Sequence, residues 1–227
     1  KYKYMKTKIL SIVITIIGCS LPFQLTAQNV SYWDGVSASI WTNGTGSKGM
    51  PYLIESAEHL AYLAQSVNAN TTTHYDSVYF KLTTNINLRG FPWTPIGNAN
   101  TKYFSGYFDG NNYSIDSLSV NITATTTSFA GLFGVLNHAR VHHLTLSNVN
   151  IAMQSESAGI YAGGIAALVR GNDVIQYCHV TGGSILSISG TDRKSHAGGI
   201  VGFTQITTNS ININNCTITR KTYIYFF

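Results

Sequence analysis

Charge is scarce in this chain. Only 10% of its 227 residues are Asp, Glu, Lys or Arg, well below the roughly 25% of ordinary soluble domains. Helix surfaces are normally covered with Glu, Lys and Arg, so this composition argues against a helical enzyme. Proline is sparse, at 4 residues, which excludes a collagen-like chain, and 44% hydrophobic content excludes a disordered tail. What is left is a β-rich composition, with Thr, Ser and Asn outside and aliphatics inside. The chain is long enough for one domain with a real core.

The formal charge of +5 rests on Lys1, Lys3, Lys6 and Lys8 at the amino end. Without them ten basic residues face nine acidic ones. No basic patch survives, and nucleic-acid binding loses its electrostatic footing. Lys6 and Lys8 precede an apolar run from Ile9 to Ile17, which has the length of a signal-peptide core and is too short to span a bilayer. Met5 reads as the initiator, which makes residues 1–4 an upstream addition. Cleavage after Ala27 would release residues 28 onward. The competing reading takes Ile16-Ile17-Gly18-Cys19 as a lipobox with a lipid on Cys19. Both export the chain to the cell surface or beyond, and no other segment is expected to span a membrane.

The main signal is a repeat. Four blocks open with a ring or His, a small residue and Gly, then end in a large apolar residue: Phe104-Ser105-Gly106-Tyr107-Phe108, Phe129-Ala130-Gly131-Leu132-Phe133, Tyr161-Ala162-Gly163-Gly164-Ile165 and His196-Ala197-Gly198-Gly199-Ile200. Their starts lie 25, 32 and 35 residues apart. Each is followed by a second word of three anchors: Ile115/Leu118/Val120, Val141/Leu144/Leu146, Ile175/Cys178/Val180 and Ile213/Cys216/Ile218. The last two anchors alternate as in a strand with one buried face, and the offset of three before them marks a corner. One block cannot bury its apolar side alone, but stacked blocks bury a continuous column. The expected fold is all-β: a right-handed parallel β-helix, or solenoid. Leu144, Cys178 and Cys216 form one internal ladder in it, and the two cysteines are expected to be buried thiols.

These words resemble the GLUG motif of bacterial surface proteins, above all Ala130-Gly131-Leu132-Phe133-Gly134 and Ala197-Gly198-Gly199-Ile200-Val201-Gly202. That motif is found in adhesin-like proteins and in the non-catalytic part of immunoglobulin A peptidases of the M26 type. Trp93-Thr94-Pro95-Ile96-Gly97 and Phe104-Ser105-Gly106-Tyr107-Phe108-Asp109-Gly110-Asn111 resemble the segment that precedes such repeats. Block three departs from the pattern, with Ala166-Ala167 where Gly is expected. The resemblance covers about residues 50 to 219 and implies an exported, adhesin-like β-helix of Bacteroidetes type. It implies no chemistry.

Ser56 offers a helix N-cap, with Leu60, Leu63, Ala64 and Val67 following at helical spacing. This short amino-terminal helix is expected to cap the solenoid, because an open end exposes strand edges and core. The organisation is therefore a signal peptide over 1–27, a cap with one helix and the first coil over 28–90, GLUG-like repeats over 91–219, and an irregular tail over 220–227. That tail breaks the repeat, and the chain reads as the front portion of a longer protein or as one with an altered end.

Catalytic signatures are missing. Glu58-His59 has no second His to complete the H-E-x-x-H of a zinc peptidase. There is no G-x-S-x-G elbow. Gly44 to Gly49 lacks the Gly-Lys-Ser/Thr ending of a phosphate loop and reads as a turn. Trp33, Trp41 and Trp93 could serve as sugar platforms but are expected to pack in the cap. Stacked in the register of the three-anchor words, Asp116 lies near His142, a contact that reads as a surface hydrogen bond. His142, His143 and His179 lack the supporting carboxylate of a metal centre, and Asp109-Gly110-Asn111-Asn112 reads as a tight turn rather than a calcium loop. No catalytic, cofactor or metal residue is assigned. The expected function is a non-enzymatic surface module for adhesion or ligand presentation, with a host or matrix glycan or protein as partner. The alternatives are a carbohydrate-active β-helix enzyme and the non-catalytic front of a larger peptidase.

Overall fold

The computed structural model describes residues 29–190, 194–205, 210–219 and 222–226. The expected signal peptide over 1–27, Cys19 included, lies outside them. The described chain is a parallel β-solenoid of about three full turns. Two short strands, β1 (Val30–Tyr32) and β2 (Tyr52–Ile54), and the helix α1 (Ala57–Ala69) come first. A partial coil follows, β3 (Tyr79–Leu82) and β4 (Asn85–Asn87). The first full coil is β5 (Tyr107–Asp109), β6 (Ser114–Asp116), β7 (Ser119–Thr123), β8 (Ser128–Ala130) and β9 (Phe133–Asn137). The second is β10 (Arg140–His142), β11 (Thr145–Ser155), β12 (Ile160–Gly163) and β13 (Ala166–Arg170). The third is β14 (Val174–Gln176), β15 (His179–Ser189), β16 (Ser195–Gly198) and β17 (Val201–Gln205). β18 (Asn212–Asn214), β19 (Thr217–Ile218) and β20 (Thr222–Phe226) begin a further coil.

Every strand pairing among the described residues is parallel. One sheet runs β2-β3-β5-β10-β14-β18 and another β1-β4-β6-β11-β15-β19, with β7 beside β11 and β20 beside β15. Two three-stranded sheets, β8-β12-β16 and β9-β13-β17, complete the coil. Inward positions form ladders. Phe80, Phe108, Val141, Ile175 and Ile213 stack in one, and Ile86, Ile115, Leu146, Val180 and Ile218 in the next. The first four of each are buried. Leu144 and Cys178 are buried as well, Cys216 is half-buried, and both thiols are free.

The corners explain why the coil turns without losing register. His143, Tyr177 and Asn215 occupy one corner of successive coils, all in the left-handed region. Ser117 and Asn148 do the same at the next corner. At that corner in the third full coil stand Gly182 and Gly183, and a Cβ on Gly183 would run into the Val149 carbonyl. The ring-small-Gly corners have another cause. A Cβ on Gly163 would collide with the Ala166 carbonyl oxygen, and one on Gly198 with that of Val201. Close backbone approach, not φ, selects glycine there.

Three of the four sequence blocks stack as read: Phe129, Tyr161 and His196 are register partners, as are Gly163 and Gly198. The first block does not. Phe104 bridges Leu136 and is buried against Phe80 and Phe133. The residue that partners Phe133 is Ile96, in the partial coil, and not Phe108 as the block alignment expects. The anchors Ile115/Leu118/Val120 are also displaced: Ile115 pairs with Leu146 and Val120 with Ile151. Phe108 is the true partner of Val141. Seven residues separate Phe108 from Ile115, but only five separate Val141 from Leu146, so the corner over 110–113 is two residues longer than its successors.

Ser56 caps α1 as expected, accepting from the His59 backbone N–H, while His59 Nδ1 accepts from Glu55 N. Ala57, Leu60, Leu63, Ala64 and Val67 are buried in the main core, which fits a capping role. Residues 222–226, expected to be irregular, form β20 instead, in parallel register with Gly183 to Ser187. Ile224 continues the ladder of Ile151 and Ile185, and alternation with Tyr223 and Tyr225 supplies the strand pattern.

Replacing Gly163 with Ala should cost about 1–3 kcal/mol of unfolding free energy through overpacking. Gly49→Ala, at a site with nothing within 4 Å, should stay within about 0.5 kcal/mol. Urea titrations of the two variants check this, and equal midpoints would contradict the close-approach argument.

Candidate functional site

Two outward surfaces carry chemistry. The first lies on the sheet containing β3, β5, β10 and β14. Its outward positions form two columns: Tyr79, Tyr107, Arg140 and Val174, and beside them Lys81, Asp109, His142 and Gln176. The Tyr79 and Tyr107 rings are parallel, with centroids 4.2 Å apart, and Arg140 Cζ lies 5.6 Å from the Tyr107 centroid.

Asp109 Oδ1 is 3.2 Å from His142 Nδ1 and 3.9 Å from His143 Nδ1, and the two Nδ1 atoms are 2.9 Å apart. Neighbours on a strand normally face opposite ways. The left-handed backbone of His143 (φ 53°) turns its ring to the same side as that of His142. Its other face stacks on Tyr177, 5.0 Å away and 7° from parallel. Asp109 Oδ1 also accepts from Asn111 N at 2.8 Å, so the Asp109-Gly110-Asn111-Asn112 turn is real and fixes the carboxylate. Burial pushes the Asp109 carboxyl up, but the His142 ring, the Asn111 N–H and the Lys81 charge outweigh it and hold it below the usual carboxylate range. A cleft of about 350 Å³ adjoins the cluster, lined by Lys48, Pro51, Tyr79, Lys81 and Tyr107.

The expected partner of His142 is thereby corrected. Asp116 pairs with Ser147, because the longer corner shifts its strand. Its carboxylate accepts from Asn87, Ser117, Ser147 and Asn148 at 2.6–2.9 Å. The carboxylate missing beside His142 and His143 is Asp109. His179 stands apart, bonded through Nδ1 to the Thr217 hydroxyl at 2.7 Å.

The second surface follows the glycine corner. Phe129, Tyr161 and His196 stack at 5.4 and 5.1 Å. Val135, Leu168 and Phe203 form the facing column. Together with Tyr103 they make a small apolar cluster outside the solenoid lumen. The facing sides of these rings are spent on one another, and a cleft of about 390 Å³ runs beside them, lined by Asn100, Phe129, Tyr161, Lys194 and Phe203. The three tryptophans are buried: Trp33 packs edge-on to Trp93, and Trp41 against Tyr52, Tyr62, Tyr75 and Phe80. Gly44 to Gly49 is a turn, closed by Thr45 N and Met50 O at 2.9 Å.

One of two buried titratable groups, Asp173, went unremarked in the sequence. The hydrogen bond shared with Cys216, together with burial, pushes the thiol of the other, Cys178, up. Asp173 is fully buried, with Oδ1 accepting from Ala139 N at 2.6 Å and Oδ2 without a partner. Burial raises its carboxyl to about 7 against the opposing backbone bonds and the Arg170 charge. No motif surrounds Asp173, so only its place in the coil could have revealed it.

No family model matches the chain. It is similar to Halomucin of Haloquadratum walsbyi, 29% identical over an alignment of 214 residues that covers 86% of this chain and 2% of that protein. It is also similar to a protein provisionally named a Gly-rich membrane protein, from Evansella cellulosilytica: 32% identical over 126 residues, 53% of this chain and 14% of the other. The chain thus spans a small fraction of these relatives' lengths. Among solved structures, one provisionally described as an immunoglobulin A1 protease from Bacteroides ovatus superposes with a TM-score of 0.44 at 16% identity, over 82% of this chain and 77% of that one. Among the described residues no helix is long and apolar enough to cross a membrane.

A carboxyl raised in the folded state binds its proton where the unfolded chain has released it. Stability should therefore fall as pH rises from about 4 to about 7, by an order-of-magnitude 4 kcal/mol at about 1.4 kcal/mol per pH unit. Asp173→Asn should remove that fall. Melting temperatures at about pH 5 and about pH 8 check it; identical pH dependence in both proteins would refute the assignment.

Proposed function

We propose that this chain is an exported, non-enzymatic surface module that serves adhesion or ligand presentation. The observation that supports it best is the unbroken parallel register of the coils, with Ser, Thr and Asn at many outward positions of β11 and β15. Such stacking makes a stiff body whose exposed faces vary without disturbing the core. The similarity to short stretches of much longer proteins supports a building block within a larger surface assembly. The partner is a host or matrix glycan or protein, reached through the cleft beside Tyr79 and Tyr107 or through the loops.

The test is binding of the chain from Gln28 onward to arrays of glycans and matrix proteins, with mass spectrometry of each bound ligand. Saturable binding with the ligand recovered intact is expected. Cleavage of a bound polysaccharide would replace this reading with that of a carbohydrate-active enzyme, and failure to bind any array component would remove the adhesive role.

A further inference from the structure

We infer that Asp109, His142 and His143 form a binding site for a borderline divalent cation, zinc above all, with an open fourth position facing the Tyr79/Tyr107 cleft. Each ligand is placed by a different feature of the coil. Parallel register sets Asp109 beside His142. The left-handed corner swings His143 round to meet them. The Asn111 N–H holds the carboxylate oxygen from behind.

The geometry is that of three vertices of a tetrahedron. Metal–ligand bonds of about 2.0–2.2 Å imply tetrahedral edges of roughly 3.3–3.6 Å. The three observed separations are 2.9, 3.2 and 3.9 Å, which straddle that range and need only small side-chain adjustments. Two imidazole nitrogens and one carboxylate oxygen suit zinc and similar ions; calcium and magnesium prefer all-oxygen shells. The Asp109 and His142 side chains are 29% and 33% exposed and His143 is 43% exposed, so an ion can enter from solvent. Three protein ligands with one vertex open is the pattern of a reactive or ligand-bridging zinc rather than a closed structural one. The inference stands on this cluster alone: loss of array binding would leave it intact, and loss of zinc binding would leave the surface-module reading intact.

The experiment is a calorimetric titration of zinc into the untagged, chelator-stripped chain, repeated with cobalt to read the visible band of tetrahedral coordination. One ion per chain is expected. Asp109→Asn, His142→Gln and His143→Gln should each weaken binding by at least about tenfold. His179→Gln, outside the cluster, should leave it within about twofold. Circular dichroism confirms folding, and should His142→Gln unfold, His143→Gln on the more exposed ring decides. Absence of zinc binding, or binding unchanged in Asp109→Asn and His143→Gln, would overturn the site.

Discussion

The structure depends on one constraint: each coil's backbone must hydrogen-bond to the coils above and below it at the spacing of adjacent strands, about 4.8 Å. Where each coil bends at Gly163 and Gly198, its own carbonyl three residues on fills the space a Cβ would need, which is why glycine recurs there. The constraint also forces like positions on top of like. An aliphatic ladder inside, an aromatic stack beside the glycine corner and a polar column on the sheet face are three readings of the same register.

Much of the fold was legible because the constraint repeats. The blocks at Phe129, Tyr161 and His196 carry the same word in the same place, and their alignment in sequence is their alignment in space. The first block failed for a specific reason. The word aliphatic-x-x-aliphatic-x-aliphatic occurs at two successive corners of a coil: Val141/Leu144/Leu146 is followed at once by Leu146/Val149/Ile151. Ile115/Leu118/Val120 matches both, and only the three-dimensional register assigns it to the second.

The same slip hid one of the three residues of the candidate site. His142 and His143 were conspicuous as a pair, but their carboxylate lay inside a turn motif that already had an adequate structural explanation. Asp109 does both jobs: it closes the turn through Asn111 and presents an oxygen to the imidazoles. Nor does sequence reveal that a residue after a strand will adopt a left-handed backbone, the conformation that makes adjacent histidines converge. The carboxyl-terminal strand was missed for a related reason. Tyr223, Ile224 and Tyr225 lack the glycine word, yet simple alternation sufficed to seat them on β15.

The corner over 110–113 is two residues longer than its successors, yet the strands on both sides keep their partners. Extra length is taken up within that bend, where only Asn112 is exposed, instead of propagating along the stack. The bends are thus where such a molecule can be rewritten by insertion or deletion without cost to the column behind them. New surface chemistry can arise at the rim while the interior keeps the same design.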